Sequence, residues 1–193
     1  WNENAGLPLA MIVVAGEQDV ALAVPVLRQL DETHGVPFRI KSGGHNYAGF
    51  CSVLDGVILS LEQLTGLELD LTTGVATLGP AVTVQQVLDE VLVPFNYSGV
   101  VGSCPGVAEG GFALSGGIGI LSRKYGLGVD SVLSIRAVLA DGSLVTASAD
   151  ANPDLFWALR GAGGGNFGVV TALEYQLHPA VDEVVFVSGE VKL

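Results

Sequence analysis

Lys41-Ser42-Gly43-Gly44-His45-Asn46-Tyr47-Ala48-Gly49 is a loop in which bare backbone surrounds a single imidazole. Its glycines let successive N–H groups turn toward one point, making a concave nest that binds anions without lysine chemistry. A second run, Gly102-Ser103-Cys104-Pro105-Gly106-Val107, places one thiol in a similar glycine-rich setting. An anion cradle, an imidazole and a thiol together point to a large phosphorylated cofactor, with His45 and Cys104 as candidate attachment points.

Outward from these loops, hydrophobic periodicity defines the elements. Leu9 to Val14 has the β-branched content of a strand, and Val20, Ala23, Val24, Leu27 and Leu30 fall on one face of a helix over Glu17 to Thr33. Strands are expected at Pro37 to Ile40 and Val57 to Leu61. Hairpins are expected around Thr72-Thr73-Gly74 and around Asp141-Gly142, the latter joining Val132–Leu139 to Leu144–Thr146. Thr83 with Gln86 forms the signature of a capping box for a helix over Val84 to Leu92. Within the glycine-dominated stretch from Gly99 to Gly128, only a helical turn near Phe112 to Ser115 is expected. Pro153 opens a short helix to Arg160, and strands follow at Val169 to Leu177 and Val184 to Val187. Strands in two clusters, punctuated by helices, indicate an α+β fold of two α/β subdomains, roughly 1–75 and 76–193.

Composition narrows the function classes. The 193 residues hold 8 basic and 20 acidic side chains, a net charge of −12, which argues against nucleic acid and anionic membranes as partners. No apolar run reaches the length of a membrane span. The three histidines and two cysteines show no metal-ligand spacing, so no metal is expected. The chain opens at Trp1, the expectation being a start inside a larger protein. Asn96-Tyr97-Ser98 has the form of a glycosylation sequon, read as a chance occurrence.

Two motifs have competing explanations. Gly163, Gly165 and Gly168 satisfy G-x-G-x-x-G, but a dinucleotide fingerprint needs a strand before it and a helix after it. Here the order is reversed, so a turn bringing backbone close to a ligand or a neighbouring strand is preferred. Gly102-Ser103-Cys104-Pro105-Gly106 has the G-x-C-x-G form of a nucleophile elbow, which keeps a cysteine hydrolase as an alternative. An elbow requires a helix directly after the nucleophile, and Gly106, Gly110 and Gly111 weaken one. His34 and His178 read as structural and loop residues.

The ordered set of motifs resembles the flavin-binding domain of the berberine bridge enzyme-like oxidoreductases, within the vanillyl-alcohol oxidase (PCMH-type FAD domain) group. The set comprises Ser42-Gly43-Gly44-His45, Gly79-Pro80, Cys104-Pro105 with Gly110-Gly111 and Gly116-Gly117-Ile118-Gly119, Arg123 to Leu127, Asp154 to Gly161, and Gly164 to Gly168. The resemblance implies the PCMH-type FAD-binding fold and FAD bound bicovalently, through His45 to the flavin 8α-methyl and through Cys104 to C6. It assigns cofactor contacts to Ser42, Gly43, Gly44, Asn46, Gly79, Gly102, Val107, Gly110, Gly111, Gly119 and Val169. The implied reaction is hydride transfer from an alcohol, a sugar or a C–H beside nitrogen to the flavin, with dioxygen or another acceptor taking the electrons. A secreted location is the family expectation.

The resemblance also marks departures. Phe112 stands where many family members carry a histidine, so a hydrogen bond to the flavin is lost there. The catalytic base is expected from a substrate domain that these 193 residues do not contain, so no catalytic residue is named. A catalytically incomplete flavin-binding fragment or relative is therefore the second hypothesis. Cys51 is expected to be a free, partly buried thiol and not the disulfide partner of Cys104.

Overall fold

The computed structural model describes residues 6–182. Strands β1 (Ala10–Val13), β2 (Phe38–Lys41) and β3 (Val57–Ser60) form a parallel sheet in the order β1-β3-β2, with Val57 paired to Ala10 on one side and Phe38 on the other. The central strand β3 is buried at all four positions, as a mid-sheet parallel strand must be. Helix α1 (Glu17–His34) buries Val20, Val24 and Leu27 and ends at Gly35, whose N–H bonds Asp31 O at 2.9 Å with φ +64°.

The second sheet is antiparallel and five-stranded, in the order β4-β5-β9-β7-β8. Its members are β4 (Leu67–Asp70), β5 (Val75–Leu78), β7 (Val132–Val138), β8 (Leu144–Ser148) and β9 (Val169–Gln176). The β4–β5 turn is closed by Asp70, whose carboxylate accepts from Thr72 N at 2.8 Å and Thr73 Oγ1 at 2.7 Å. Those bonds hold the Asp70 carboxyl below its ordinary pKa. The chain passes from one sheet to the other between Ser60 and Leu67. The passage therefore precedes the expected 75/76 division, because the β4–β5 hairpin pairs with β9 through β5.

Helices α2 (Val84–Val87), α3 (Glu109–Leu114) and α5 (Pro153–Leu159) cover this sheet around a core that includes Val82, Leu114, Ile135, Phe156 and Leu173. The expected capping box is present: Thr83 Oγ1 accepts from Gln86 N at 3.3 Å while Gln86 Oε1 accepts from Thr83 N at 3.0 Å. Beyond Val87 the helix widens into a π-turn over Leu88–Leu92. Val138 and Val169 of the second sheet pack into the core beneath α1, so the two sheets share a seam.

The glycine-rich stretch is more ordered than its composition implies. Alongside α3 it forms α4 (Ser122–Tyr125) and a 3-10 turn at Gly128–Ser131. Helix α3 begins three residues earlier than expected, because its leading N–H groups have partners outside the helix. Glu109 N donates to Val82 O at 2.8 Å and Gly110 N to Pro80 O at 3.0 Å. Two short strands, β6 (Tyr97–Ser98) and β10 (His178–Pro179), pair nearby, and the His178 ring stacks on Tyr125 with centroids 3.9 Å apart. The strand expected at Val184 to Val187 lies outside the described residues. No described helix is long and apolar enough to cross a membrane.

Candidate cofactor site

The His45 and Cys104 loops touch each other. The first leaves the C-terminal end of β2, anchored by Leu61 N donating to Lys41 O at 2.7 Å. It packs backbone-on-backbone against the second: a Cβ on Gly43 would stand 2.7 Å from Ala108 Cβ and 3.4 Å from Gly106 O. Gly44 adopts φ +74°, a left-handed turn open to glycine at little cost. The imidazole of His45 lies over Gly106, its Nε2 3.1 Å from the position a Gly106 Cβ would take. His45 is thus placed two residues along the chain from Cys104.

Between the sheets these loops border a cleft of about 860 Å³, well inside the ~300–1,000 Å³ usual for ligand and cofactor sites. Ser42, Gly43, Gly44, His45 and Asn46 form one wall, while Val107, Gly110 and Gly111 form another. Val169 closes it at the start of β9. The glycine strip at 162–166 completes the lining, tied to α3 by Gly163 N donating to Leu114 O at 2.7 Å. The reversed G-x-G-x-x-G pattern is accordingly a close-approach turn, and Gly168, at its end, sits against Val138 of β7. Phe50, Cys51 and Ile40 also reach the cleft. Sequence reasoning gave them no ligand role, because each carries an ordinary apolar or thiol side chain outside any motif.

Four expected cofactor residues stand outside the lining. Gly79 and Gly119 have packing reasons for lacking a side chain, since a Cβ would meet Leu64 O at 2.1 Å and Val101 O at 2.2 Å, respectively; at Gly102 a Cβ would make ordinary contact, with Val84 Cγ2 at 3.4 Å. Cys104 is exposed and adjoins the cleft through the Gly106–His45 contact. Cys104 and Cys51 are both free thiols, Cys51 half-buried. The hydrolase alternative fails on local structure. Cys104 O accepts from Val107 N at 3.1 Å in a turn, and the next helix starts only at Glu109.

Two adjacent glycines on α3 separate internal packing from ligand space. A Cβ on Gly110 would strike Pro80 Cβ at 2.8 Å, whereas a Cβ on Gly111 would meet only Ser42 Oγ, at 3.9 Å. A helix-interior glycine is about 1 kcal/mol worse than alanine. Nothing in the described protein requires it at position 111, whereas a flat ligand lying against the helix would. The site therefore fits a large cofactor on its own geometry.

Beneath the cleft, Glu109 is 1% exposed in the apolar core. The Tyr175 hydroxyl donates to its Oε2 at a long 3.5 Å, and Oε1 has no hydrogen-bond partner among the described residues. Burial pushes its carboxyl up to about 8, the weak tyrosine bond opposing only slightly.

The family described as the FAD binding domain matches residues 8–148. Among curated proteins, the xylooligosaccharide oxidase of Thermothelomyces thermophilus is 42% identical over 82% of this chain and 32% of its own length. Among solved structures, the glucooligosaccharide oxidase of Acremonium strictum, described with a 6-S-cysteinyl, 8α-N1-histidyl FAD, is 34% identical. It superposes with a TM-score of 0.80 over 91% of this chain and 36% of that one. Berberine bridge enzyme is 27% identical with a TM-score of 0.84, over 92% and 36% respectively. The chain thus spans about a third of the length of each protein named here.

Proposed function

The chain belongs to the FAD binding domain family, and from that premise we propose that it is the cofactor-holding part of an FAD-dependent oxidoreductase with the flavin linked to both His45 and Cys104. The observation that carries this reading is the contact between the two loops. An imidazole from one lies against the backbone just past the thiol of the other, at the edge of a cleft of cofactor size. On this proposal a single planar ring system seated there has to meet both side chains.

When bound, FAD supplies a hydride acceptor that later passes two electrons to dioxygen or another acceptor; this chemistry belongs to the cofactor. The chain's own residues bind and orient. The Ser42 to Asn46 loop offers N–H groups for the pyrophosphate, and Gly111, with Gly110 and Val107 beside it in the cleft lining, lets the flat part of the cofactor approach the α3 backbone. Val169 stands at the far end, where the adenine is expected. The substrate class proposed is an alcohol, a sugar or a C–H beside nitrogen, the sugar preference supported by the xylooligosaccharide and glucooligosaccharide oxidase relatives. Substrate contacts and the proton-accepting group are assigned to a second domain, since the relatives extend well beyond the matched region.

The test is the intact mass of the chain produced with FAD and then acid-precipitated. A gain of one FAD, retained by the denatured protein, is the expected result. A colourless precipitate of unmodified mass overturns the covalent assignment, and failure of the native chain to take up flavin overturns the cofactor itself.

Gly111→Ala gives an independent check with effects of opposite sign. Without flavin, the variant is expected to be more stable by up to about 1 kcal/mol, raising Tm by about 2–4 °C. With flavin, the new methyl occupies ligand space and binding is expected to weaken at least tenfold. Unchanged flavin affinity in a titration would remove the cofactor from this face of α3.

A further inference from the structure

Phe112 faces three glycines from three separate segments. One ring edge, at Cδ2 and Cε2, lies 3.5 Å from where a Gly102 Cβ would stand; the other edge, at Cε1, lies 2.6 Å from the corresponding positions at Gly117 and Gly128. The far pair is a rigid wall, because Gly128 N donates to Gly117 O at 2.7 Å and Val129 N to Gly116 O at 3.0 Å. At Gly119 the same two segments touch directly, a Cβ there falling 2.2 Å from Val101 O. At Phe112 a ring holds them apart. Past Cys104 the thiol loop is anchored through its backbone, with Gln85 N donating to Pro105 O at 3.0 Å and Val84 N to Val107 O at 2.9 Å. The segment carrying Cys104 therefore lies between the N-terminus of α2 and the Phe112 ring, which also lines the cleft.

We propose that Phe112 is a positioning residue for Cys104: its ring spaces Gly102 from the Gly117–Gly128 wall and so fixes where the sulfur stands at the mouth of the cleft. The inference rests on the reading of Cys104 as an attachment point and adds the group that sets its position. A half-buried ring replaced by a methyl leaves space that its neighbours fill only in part. A displacement on the order of 1 Å is enough to lower a geometry-dependent reaction by ~100-fold. Each flavin link replaces one hydrogen on the side chain and one on the flavin, the electron pair and both protons leaving to dioxygen as peroxide. Mass and peptide mapping therefore count the two links separately.

The experiment maps flavin on His45 and Cys104 peptides in the wild-type chain and in Phe112→Ala, Phe112→Leu, Gly128→Ala and the Phe112→Leu/Gly128→Ala pair. Phe112→Ala is expected to lose at least nine-tenths of the Cys104 link while keeping the His45 link. Gly128→Ala drives a methyl into the ring from the other side and is expected to lose the Cys104 link as well; the pair, with a smaller side chain at 112, is expected to recover at least half of it. Iodoacetamide labelling of flavin-free chains is expected to show the Cys104 rate changed at least threefold in Phe112→Ala, with Cys51 unchanged. If Phe112→Ala does not fold, Phe112→Leu and the pair decide. A Cys104 link equal to wild type in the 112 variants, or no recovery in the pair, overturns the proposal and leaves the attachment reading intact. A wild-type chain with no flavin on Cys104 overturns both.

Discussion

The double variant His45→Ala/Cys104→Ala is expected to surrender all of its flavin on acid precipitation, while each single variant keeps its flavin through the remaining side chain. The geometry would make the two proposed links independent. His45 leaves the loop after β2 of the first sheet, and Cys104 sits on the loop before α3 of the second. Each loop keeps its own backbone anchors, Leu61 N to Lys41 O for one and Gln85 N to Pro105 O for the other. Neither substitution alone disturbs the Gly43–Ala108 contact that joins the loops. The nest at Ser42 to Asn46 also remains in the double variant, so native protein is expected to bind flavin reversibly and release it only when unfolded. Fluorescence of the precipitate and of the supernatant measures the partition. Flavin still attached in the double variant would mean that a different side chain holds it, with Cys51, which lines the same cleft, the first to examine.

Stability of the flavin-free chain is expected to fall as pH rises from 4.5 toward 8, and Glu109 is the reason. Its carboxyl is held near 8 in the folded chain against an ordinary 4.5. Between those values the folded state keeps a proton that the unfolded state has lost, so unfolding releases a proton and becomes easier with rising pH. The contribution is fully present below 4.5, declines by up to about 1.4 kcal/mol per pH unit in between, and is exhausted above 8. Glu109→Gln is neutral throughout and is expected to flatten this slope. Glu109→Met keeps a similar volume without polar atoms or a titrating group and is expected to gain on wild type by up to about 5 kcal/mol between pH 4.5 and 8.5. The gap should close below pH 4.5. Urea midpoints across that range read both effects; parallel curves for wild type and Glu109→Gln would show that Glu109 does not titrate in this window.

Much of this fold was legible because local signals and long-range order agree. The Thr83–Gln86 capping box, the two turns at Thr72–Gly74 and Asp141–Gly142, and the 3.6-residue face of α1 all formed where their chemistry points. The glycine-rich stretch was less legible, since α3 is held by carbonyls of Pro80 and Val82 that no local pattern links to it. The passage between sheets was misplaced for a related reason: a hairpin declares its own pairing and not the sheet it joins. At the site, glycine alone could not tell ligand space from close packing. Gly111 and Gly79 look alike in sequence, and only the position of Leu64 O reveals that Gly79 serves the fold. The burial of Glu109 was invisible too, because an acid in the first turn of a helix ordinarily faces water.

The Gly43–Ala108 junction has a bearing on biosynthesis. Its two sides are contributed by stretches emerging from the ribosome dozens of residues apart, one hung on the parallel layer and the other beneath the antiparallel one. His45 and Cys104, the two proposed attachment points, lie on opposite sides of this junction. Double tethering, as proposed above, would therefore come late, as a fastener across finished parts, and a chain carrying both bonds would certify that its halves have docked.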